Sequence, residues 1–354
     1  MGNFKYVLKR LLLMFFTFFA IVTICFMLIR LLPHEMPQDK NMQDVMKARW
    51  EALGYYKPLL VQFGIYLKNI VTEGDFGTSW YVSYNKPAMS LIIKNLLPTV
   101  LVNLYSMIIS TPIGLALGVL AAIKKNKWID HVISTGVMIF VSVPSYVYAF
   151  IVQWLFYFKL EWFPQRLYAI ADVGRFGPKE EWLKSLTPEI FTSGAFLEEG
   201  APEIWQYLAY FTPKMTLSMA LPVLALSFGT IAGLTRFTRA ELTETLTSEY
   251  MLLARTKGLT RAQATTRHAL KNAMVPILPM ILSGFIGILG GSMIIEQIFS
   301  IPGVGQLYIK AVTLLDYDVF MADTIFYTFI GLLSSIVVDI SYGFIDPRIR
   351  MGEK

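Results

Sequence analysis

NLLPTVLVNLYSMIISTPIGLALGVLAAI, residues 95–123, runs for 29 residues without an aspartate, glutamate, lysine or arginine. A helix needs about 20 apolar residues to cross a bilayer core, where no water satisfies exposed backbone amides. This stretch is long enough to cross with tilt to spare, and five further uncharged runs accompany it. They cover 11–29, 132–158, 215–235, 272–295 and 324–338. The last is short, and reaches spanning length with Asp323 and Asp339 near its ends. The expectation is an all-α integral membrane protein with six transmembrane helices.

The rest of the composition agrees. Of 354 residues 55% are apolar and only 16% charged, against roughly 25% charged in a soluble domain, and the mean hydropathy is +0.52. That excludes a disordered chain. A single cysteine, Cys25, excludes an intrachain disulfide framework and a thiolate zinc cluster. The net charge of +6 is compatible with nucleic acid or a membrane surface, and the apolar excess favours the membrane. Lys5, Lys9 and Arg10 precede the first run as they would in a signal peptide. That run is nonetheless too long for an h-region and lacks a small-residue cleavage site at Leu31-Leu32-Pro33-His34, so it reads as a retained anchor.

Orientation follows from where lysine and arginine fall between the runs. With the N-terminus inside, segments 1–10, 124–130, 236–271 and 346–354 hold 16 basic residues in 62. The opposite segments, 33–94, 159–214 and 296–323, hold 14 in 146. The charge divides as +10 inside and −4 outside, so both termini are expected to be cytoplasmic. The chain parses as an N-terminal anchor helix (1–32), an outer segment (33–94) and a core of five helices (95–354). The outer segment contains the turn-rich Gly74-Asp75-Phe76-Gly77-Thr78-Ser79 and an apolar helix candidate over 87–97. The core carries an extracytoplasmic insertion over 159–214 with eleven aromatic residues, too aromatic for a flexible linker. Those side chains read as the core and interfacial belt of a small lobe, or as ligand contacts.

The cytoplasmic segment 236–271 is far longer than a connection requires. Leu242, Leu246, Tyr250 and Leu253 recur at helical spacing. Lys257-Gly258 supplies a cationic last turn and a glycine able to take positive φ. Thr260-Arg261-Ala262-Gln263 opens the next helix as a capping box. Two helices meeting at a defined elbow suit a docking surface; a basic helix lying on anionic lipid is the plainer alternative, and both can hold. In the fifth run Gly284, Gly287, Gly290 and Gly291 include a GxxxG step from Gly287 to Gly291, which permits close helix packing. Pro112, Pro144, Pro222, Pro276 and Pro279 within runs point to kinks. Asp339 is the one carboxylate set clearly inside a span, a functional candidate or an interfacial partner for arginine.

No phosphate loop, HExxH or nucleophile elbow is found. His34, His131 and His268 fall in separate segments, and Gly303-Val304-Gly305 follows no strand, so it reads as a turn. Enzymatic activity is not expected.

The residues Glu249-Tyr250, Ala254-Arg255-Thr256-Lys257-Gly258-Leu259-Thr260, Arg267-His268-Ala269-Leu270-Lys271-Asn272-Ala273 and Pro276 resemble the cytoplasmic "EAA" loop of ABC-importer permeases. The likeness is to their dipeptide/oligopeptide/nickel branch. Tyr6-Val7-Leu8-Lys9-Arg10, Arg30-Leu31-Leu32-Pro33, Lys57-Pro58-Leu59, Gly74 to Ser79, Leu97-Pro98-Thr99 and Pro112-Ile113-Gly114 resemble its first half. Ile301-Pro302-Gly303-Val304-Gly305, Asp316-Tyr317 and Asp346-Pro347-Arg348 resemble its end. The resemblance implies a six-span subunit with the type I ABC importer (MetI-like) permease fold. Such a subunit would pair with a homologous second permease and couple to two cytoplasmic ABC ATPase subunits. It would receive substrate from an extracytoplasmic solute-binding protein. ATP and Mg would bind the ATPases, leaving no cofactor and no metal site in this chain, and the partners include membrane lipid but no nucleic acid.

Glu249, Tyr250, Ala254, Arg255, Lys257, Gly258, Leu259 and Thr260 would form the ATPase-coupling surface. Pathway and helix-packing roles would fall to Gly284, Gly287, Gly291, Pro144 and Asp339. Peptides are the expected cargo, with oligosaccharides or nickel as alternatives and a stand-alone secondary transporter or channel as a remoter one. Two features depart from the branch. Leu252 and Leu253 stand where it has polar or basic residues, which would make the elbow's contact more apolar. The 159–214 lobe is longer than usual and would help to hold the binding protein.

Overall fold

The computed structural model describes residues 2–32, 40–178, 180–198 and 200–345. Pro33, His34, Glu199, Asp346-Pro347-Arg348 and the basic segment 346–354 lie outside the described residues. Seventeen α-helices and one two-stranded antiparallel pair are described. They run α1 (Gly2–Leu31), α2 (Lys40–Ala52), α3 (Leu59–Glu73), β1 (Thr78–Ser79), β2 (Lys86–Pro87), α4 (Ala88–Ile123), α5 (Trp128–Ser142) and α6 (Ser145–Gln153). Short helices α7 (Glu181–Lys184), α8 (Glu189–Thr192), α9 (Glu203–Ala209) and α10 (Pro213–Ser218) follow. Then come α11 (Ala220–Leu246), α12 (Glu249–Thr256), α13 (Arg261–Ala264), α14 (Leu270–Gly287), α15 (Met293–Ile298), α16 (Val304–Thr313) and α17 (Tyr317–Ile345).

Among the described residues five helices are long and apolar enough to cross a membrane, and a sixth span is completed if α5 and α6 count as one. That third span is not straight. Trp128–Ser142 and Ser145–Lys159 meet at 100°, with Pro144 as the N-cap of α6. Proline cannot donate into the preceding turn and restricts the residue before it, and Val143 is accordingly extended. The helix candidate over 87–97 is the first part of α4, which continues unbroken to Ile123. The fifth run ends early: α14 passes through a 3-10 turn at 288–290 to Gly291, at φ 63° and ψ −168°, before α15 begins.

The chain divides into two compact units, Met1–Leu96 with Leu307–Ile336, and Leu97–Gln306 with Val337–Lys354. In the first, Val22, Phe26 and Ile29 of α1 pack against Phe63 and Tyr66 of α3 and Met321 and Ile325 of α17. The Arg30 guanidinium lies 3.9 Å from the Tyr55 ring centroid and 5.0 Å from that of Phe26, so its charge ends the span on aromatic faces rather than in lipid. The loop 79–82 is gathered onto one oxygen. Asp316 Oδ2 accepts the Ser79 hydroxyl at 2.7 Å and the amides of Trp80, Tyr81 and Val82 at 3.0–3.1 Å.

In the second unit, one core joins α4, α6, α11 and α15 to the lobe through Leu101, Val152, Phe191, Phe196, Tyr210, Met219 and Phe299. Part of the lobe's aromatic content is therefore core, while Trp162 and Trp182 stand exposed. Lys214 is fully buried where the lobe meets α10. Its ammonium pairs with Glu180 at 3.0 Å, donates to the Arg175 carbonyl and faces the rings of Tyr168 and Phe176. Among the described residues of this chain, the close helix approach expected at Gly287 and Gly291 is not made: a Cβ on Gly287 would meet nothing within 4 Å, and Gly291 lies past the helix end. It is made by Gly114 and Gly118 of α4. A Cβ on Gly114 would stand 3.0 Å from Leu234 Cβ, and one on Gly118 2.6 Å from Thr238 Cβ, both on α11.

Candidate functional site

The elbow is built from two complementary helix ends. The Gly258 amide donates to Arg255 O at 3.0 Å and the Leu259 amide to Ala254 O at 3.3 Å, with Gly258 at φ 89°. These are the two bonds of a Schellman closure, and they satisfy carbonyls that the end of α12 would otherwise leave open. Two residues later Thr260 Oγ1 accepts from the Gln263 amide at 3.2 Å while Gln263 Oε1 accepts from the Thr260 amide at 3.0 Å. The chain thus turns between α12 and α13 within four residues, with its backbone groups paired on both sides.

The predicted face differs in detail. Thr247 and Ser248 interrupt the helix, so Leu242 and Leu246 close α11 while Tyr250 and Leu253 belong to α12. Met251 and Ala254 are the buried residues of α12, in a core with Leu242, Ala264, Ala269, Ala273 and Ile277. Tyr250 is turned outward, and Leu252 and Leu253 are 67% and 56% exposed. Glu249 is the first residue of α12, where its charge suits the helix N-terminus. Arg255 and Lys257 lie in and just after its last turn. Leu259 packs back on the elbow core. The outcome is a short helix with Met251 and Ala254 on its inner face and an apolar outer face rimmed by cations.

No loop separates this elbow from the fifth span. From Arg261 the chain runs through a π-helical turn, Thr265–Ala269, directly into α14, and Arg261–Gly290 forms one 30-residue helical segment. On the other side only two residues join α12 to α11. α12 is therefore tied to two spans by a two-residue break on one side and by the hydrogen-bonded elbow on the other.

A cavity of about 270 Å³ lies among α4, α11 and α14. Gly284 and Gly287 line it, with Asn103, Ser106, Thr111 and Thr230 as its polar groups. A Cβ on Gly284 would stand 3.1 Å from the Met107 methyl, so the missing side chain is what admits Met107. Gly291, Pro144 and Asp339 are not among its lining. Gly291 packs on Glu296, Pro144 makes the bend, and Asp339 is half-buried on α17.

Two buried carboxylates escaped the sequence reading. Asp130, 1% exposed in the first turn of α5, takes both arms of Arg239 from α11 at 2.6 and 2.8 Å, together with the Asn126 amide and the Ser134 hydroxyl. Glu296, 2% exposed on α15, accepts the Thr99 hydroxyl at 2.9 Å and the Gln306 amide at 2.9 Å. Thr99 in turn takes the Val304 amide at 2.9 Å. Together they cap the N-terminus of α16. Gly291, Gly303 and Gly305 each leave out a side chain that would collide with the Glu296 carboxylate. Burial pushes the Glu296 carboxyl above the usual carboxylate range, and the bonds from Gln306, Thr99 and Gly305 pull it part of the way back. The signal available beforehand was the turn Ile301-Pro302-Gly303-Val304-Gly305, whose glycines make room for this carboxylate.

Comparison with known proteins finds relatives over nearly the whole chain. The model of a family described as binding-protein-dependent transport system inner membrane component matches residues 114–351. The dipeptide transport system permease protein of Lactococcus lactis subsp. cremoris (strain MG1363) is 32% identical over 348 residues, covering 98% of this chain and 99% of the relative. The glutathione transport system permease protein of Salmonella choleraesuis (strain SC-B67) is 30% identical over 351 residues, covering 98% and 99%. Among solved structures, an amino acid ABC transporter with histidines is similar over 71% of this chain and 92% of its own, at 18% identity and a TM-score of 0.45.

Proposed function

The chain belongs to the family of binding-protein-dependent transport system inner membrane components, the permeases of ABC importers, and from that membership we propose that its cargo is peptide. The relatives above are named for a dipeptide and for glutathione, itself a short peptide. The cavity among α4, α11 and α14 supports the reading, because its polar groups are an amide and hydroxyls. Such groups pair with peptide backbone of any side chain and carry no charge to hold a cargo in place. This chain would form half of the pathway beside a homologous second permease. Both termini would lie in the cytoplasm, and ATP hydrolysis would belong to two ATPase subunits.

The elbow is the observation that carries the mechanism. Leu252, Leu253 and Tyr250 would enter a groove of an ATPase subunit, with Glu249, Arg255 and Lys257 at the rim. Closure of the ATPase pair would move α12, and its short joints, Thr247-Ser248 to α11 and the hydrogen-bonded elbow to α13 and α14, would carry that movement to the spans around the cavity, as alternating access requires. On the outer face, the exposed Trp162 and Trp182 of the lobe would help to hold the binding protein.

Gly258→Val tests the coupling. No atom lies within 4 Å of the added Cβ position, so the substitution acts through backbone conformation alone. It places a β-branched residue at φ 89°, which costs at least about 1–2 kcal/mol. In proteoliposomes with binding protein, peptide uptake and peptide-stimulated ATP hydrolysis should fall together while the assembled complex still purifies. Undiminished uptake would count against the docking role. Mass-spectrometric identification of the ligand carried by the partner binding protein tests the cargo separately.

A further inference from the structure

A groove of about 400 Å³ runs between α5 and the part of α11 that precedes the elbow. Val137, Met138 and Val141 form its apolar wall, and Ser134, Arg236 and Arg239 its polar end. Met138 and Val141 are exposed, and they lie on a helix of the third span. A lipid-facing apolar wall is unremarkable by itself, since acyl chains cover it. The arginines are what distinguish this one.

Arg239 is already engaged, with both arms on Asp130. Arg236, three residues earlier on the same helix and therefore on a neighbouring face, is exposed and makes no ion pair among the described residues. A guanidinium at the end of a membrane span snorkels to the headgroup layer, where lipid phosphates are the anions within its reach. Lys124, Lys125 and Lys127, in the turn that leads into α5, add positive potential. Asp130 is the acid facing this end, and Arg239 neutralises it. A guanidinium with no carboxylate partner among the described residues suits a phosphodiester, whose oxygens accept from its N–H groups.

We propose that this groove is a site for one anionic phospholipid of the cytoplasmic leaflet. Its phosphate would be held by Arg236, and an acyl chain would lie along Val137, Met138 and Val141. The leaflet rests on the orientation proposed above; the groove does not.

The test uses the complete transporter in nanodiscs of phosphatidylcholine with phosphatidylglycerol, with the lipid retained after detergent release read by native mass spectrometry. Wild type should retain phosphatidylglycerol in preference to phosphatidylcholine. Arg236→Gln, a change at an exposed position, should reduce that preference about fivefold, and Arg236→Lys should restore most of it. Equal retention by wild type and Arg236→Gln would overturn the proposal. So would efficient cross-linking of Met138→Cys to the second permease, which would place a protein helix in the groove. Labelling of Lys125→Cys from the outer side would overturn the leaflet assignment, while lipid retention would still judge the groove.

Discussion

Glu296→Ala and Glu296→Gln should differ sharply in stability, and the difference follows from what the carboxylate receives. Alanine leaves the Gln306 and Gly305 amides without an acceptor in a site that is 2% exposed. Each orphaned buried amide costs about 1–3 kcal/mol, and at a pH above the raised native pKa the lost negative charge at the α16 N-terminus costs roughly 0.3–1 kcal/mol more. A loss of about 3–6 kcal/mol is expected for alanine. Glutamine keeps an oxygen for the two amides and turns its NH2 toward Thr99 Oγ1, so about 1–2 kcal/mol is expected. The sign of the pH effect is also fixed. A carboxyl whose folded pKa is raised holds a proton in the native state that the unfolded chain has released. Stability should therefore fall as pH rises from the ordinary glutamate value of 4.5 through the raised native one, and level off above it. Glu296→Gln should lack that slope. Denaturant titration of the chain in mixed micelles, followed by tryptophan fluorescence across pH, reads both quantities. Equal losses for alanine and glutamine, or an unchanged slope in the glutamine variant, would refute the cap.

Asp130→Asn breaks a bidentate pair whose acid is buried and whose guanidinium is one-third exposed, which should cost about 1.5–3 kcal/mol in the same titration; restoration by Arg239→Leu in the Asp130→Asn background would show that the stranded charge is the cause. Trp182→Ala removes an exposed ring from the lobe without touching its core, and binding-protein affinity for the reconstituted complex should weaken by about 2 kcal/mol, some thirtyfold, if the lobe holds that protein. Surface-plasmon titration with an unchanged Kd would remove the lobe from that role.

The features legible from sequence were those whose causes sit within a few residues. The capping box needs only Thr260 and Gln263, and the turn before it only Gly258. The apolar runs announced the spans by length alone. Charge-free length is blind to direction, so the 100° bend in the third span was visible only as a proline. Periodicity misled where a short break preserves the spacing. Tyr250 and Leu253 continue the rhythm of Leu242 and Leu246, yet Thr247 and Ser248 rotate α12 so that Met251 and Ala254 face inward. Glycine spacing misled in the same way. Gly287 and Gly291 have the step, but a 3-10 turn ends the helix between them, whereas Gly114 and Gly118 keep it within α4 and meet α11. The buried carboxylates were unreadable for another reason. Asp130 finds Arg239 across 109 residues and Glu296 finds Thr99 across 197, and a lone acid in a sequence does not name its partner.

Asp316 bears on how the chain is made. Its Oδ2 accepts the Ser79 hydroxyl across 237 residues of sequence. At about 5–20 residues per second, synthesis takes roughly ten to fifty seconds to deliver that acceptor after residue 79 emerges. Throughout that interval the amides of Trp80, Tyr81 and Val82 lack this acceptor. The early loop can therefore close only after the ribosome has passed the approach to the last span. A chain that stalls before Asp316 would keep its earlier helices while leaving this segment open to protease, so the finished loop reports that the translated chain has reached its final helix.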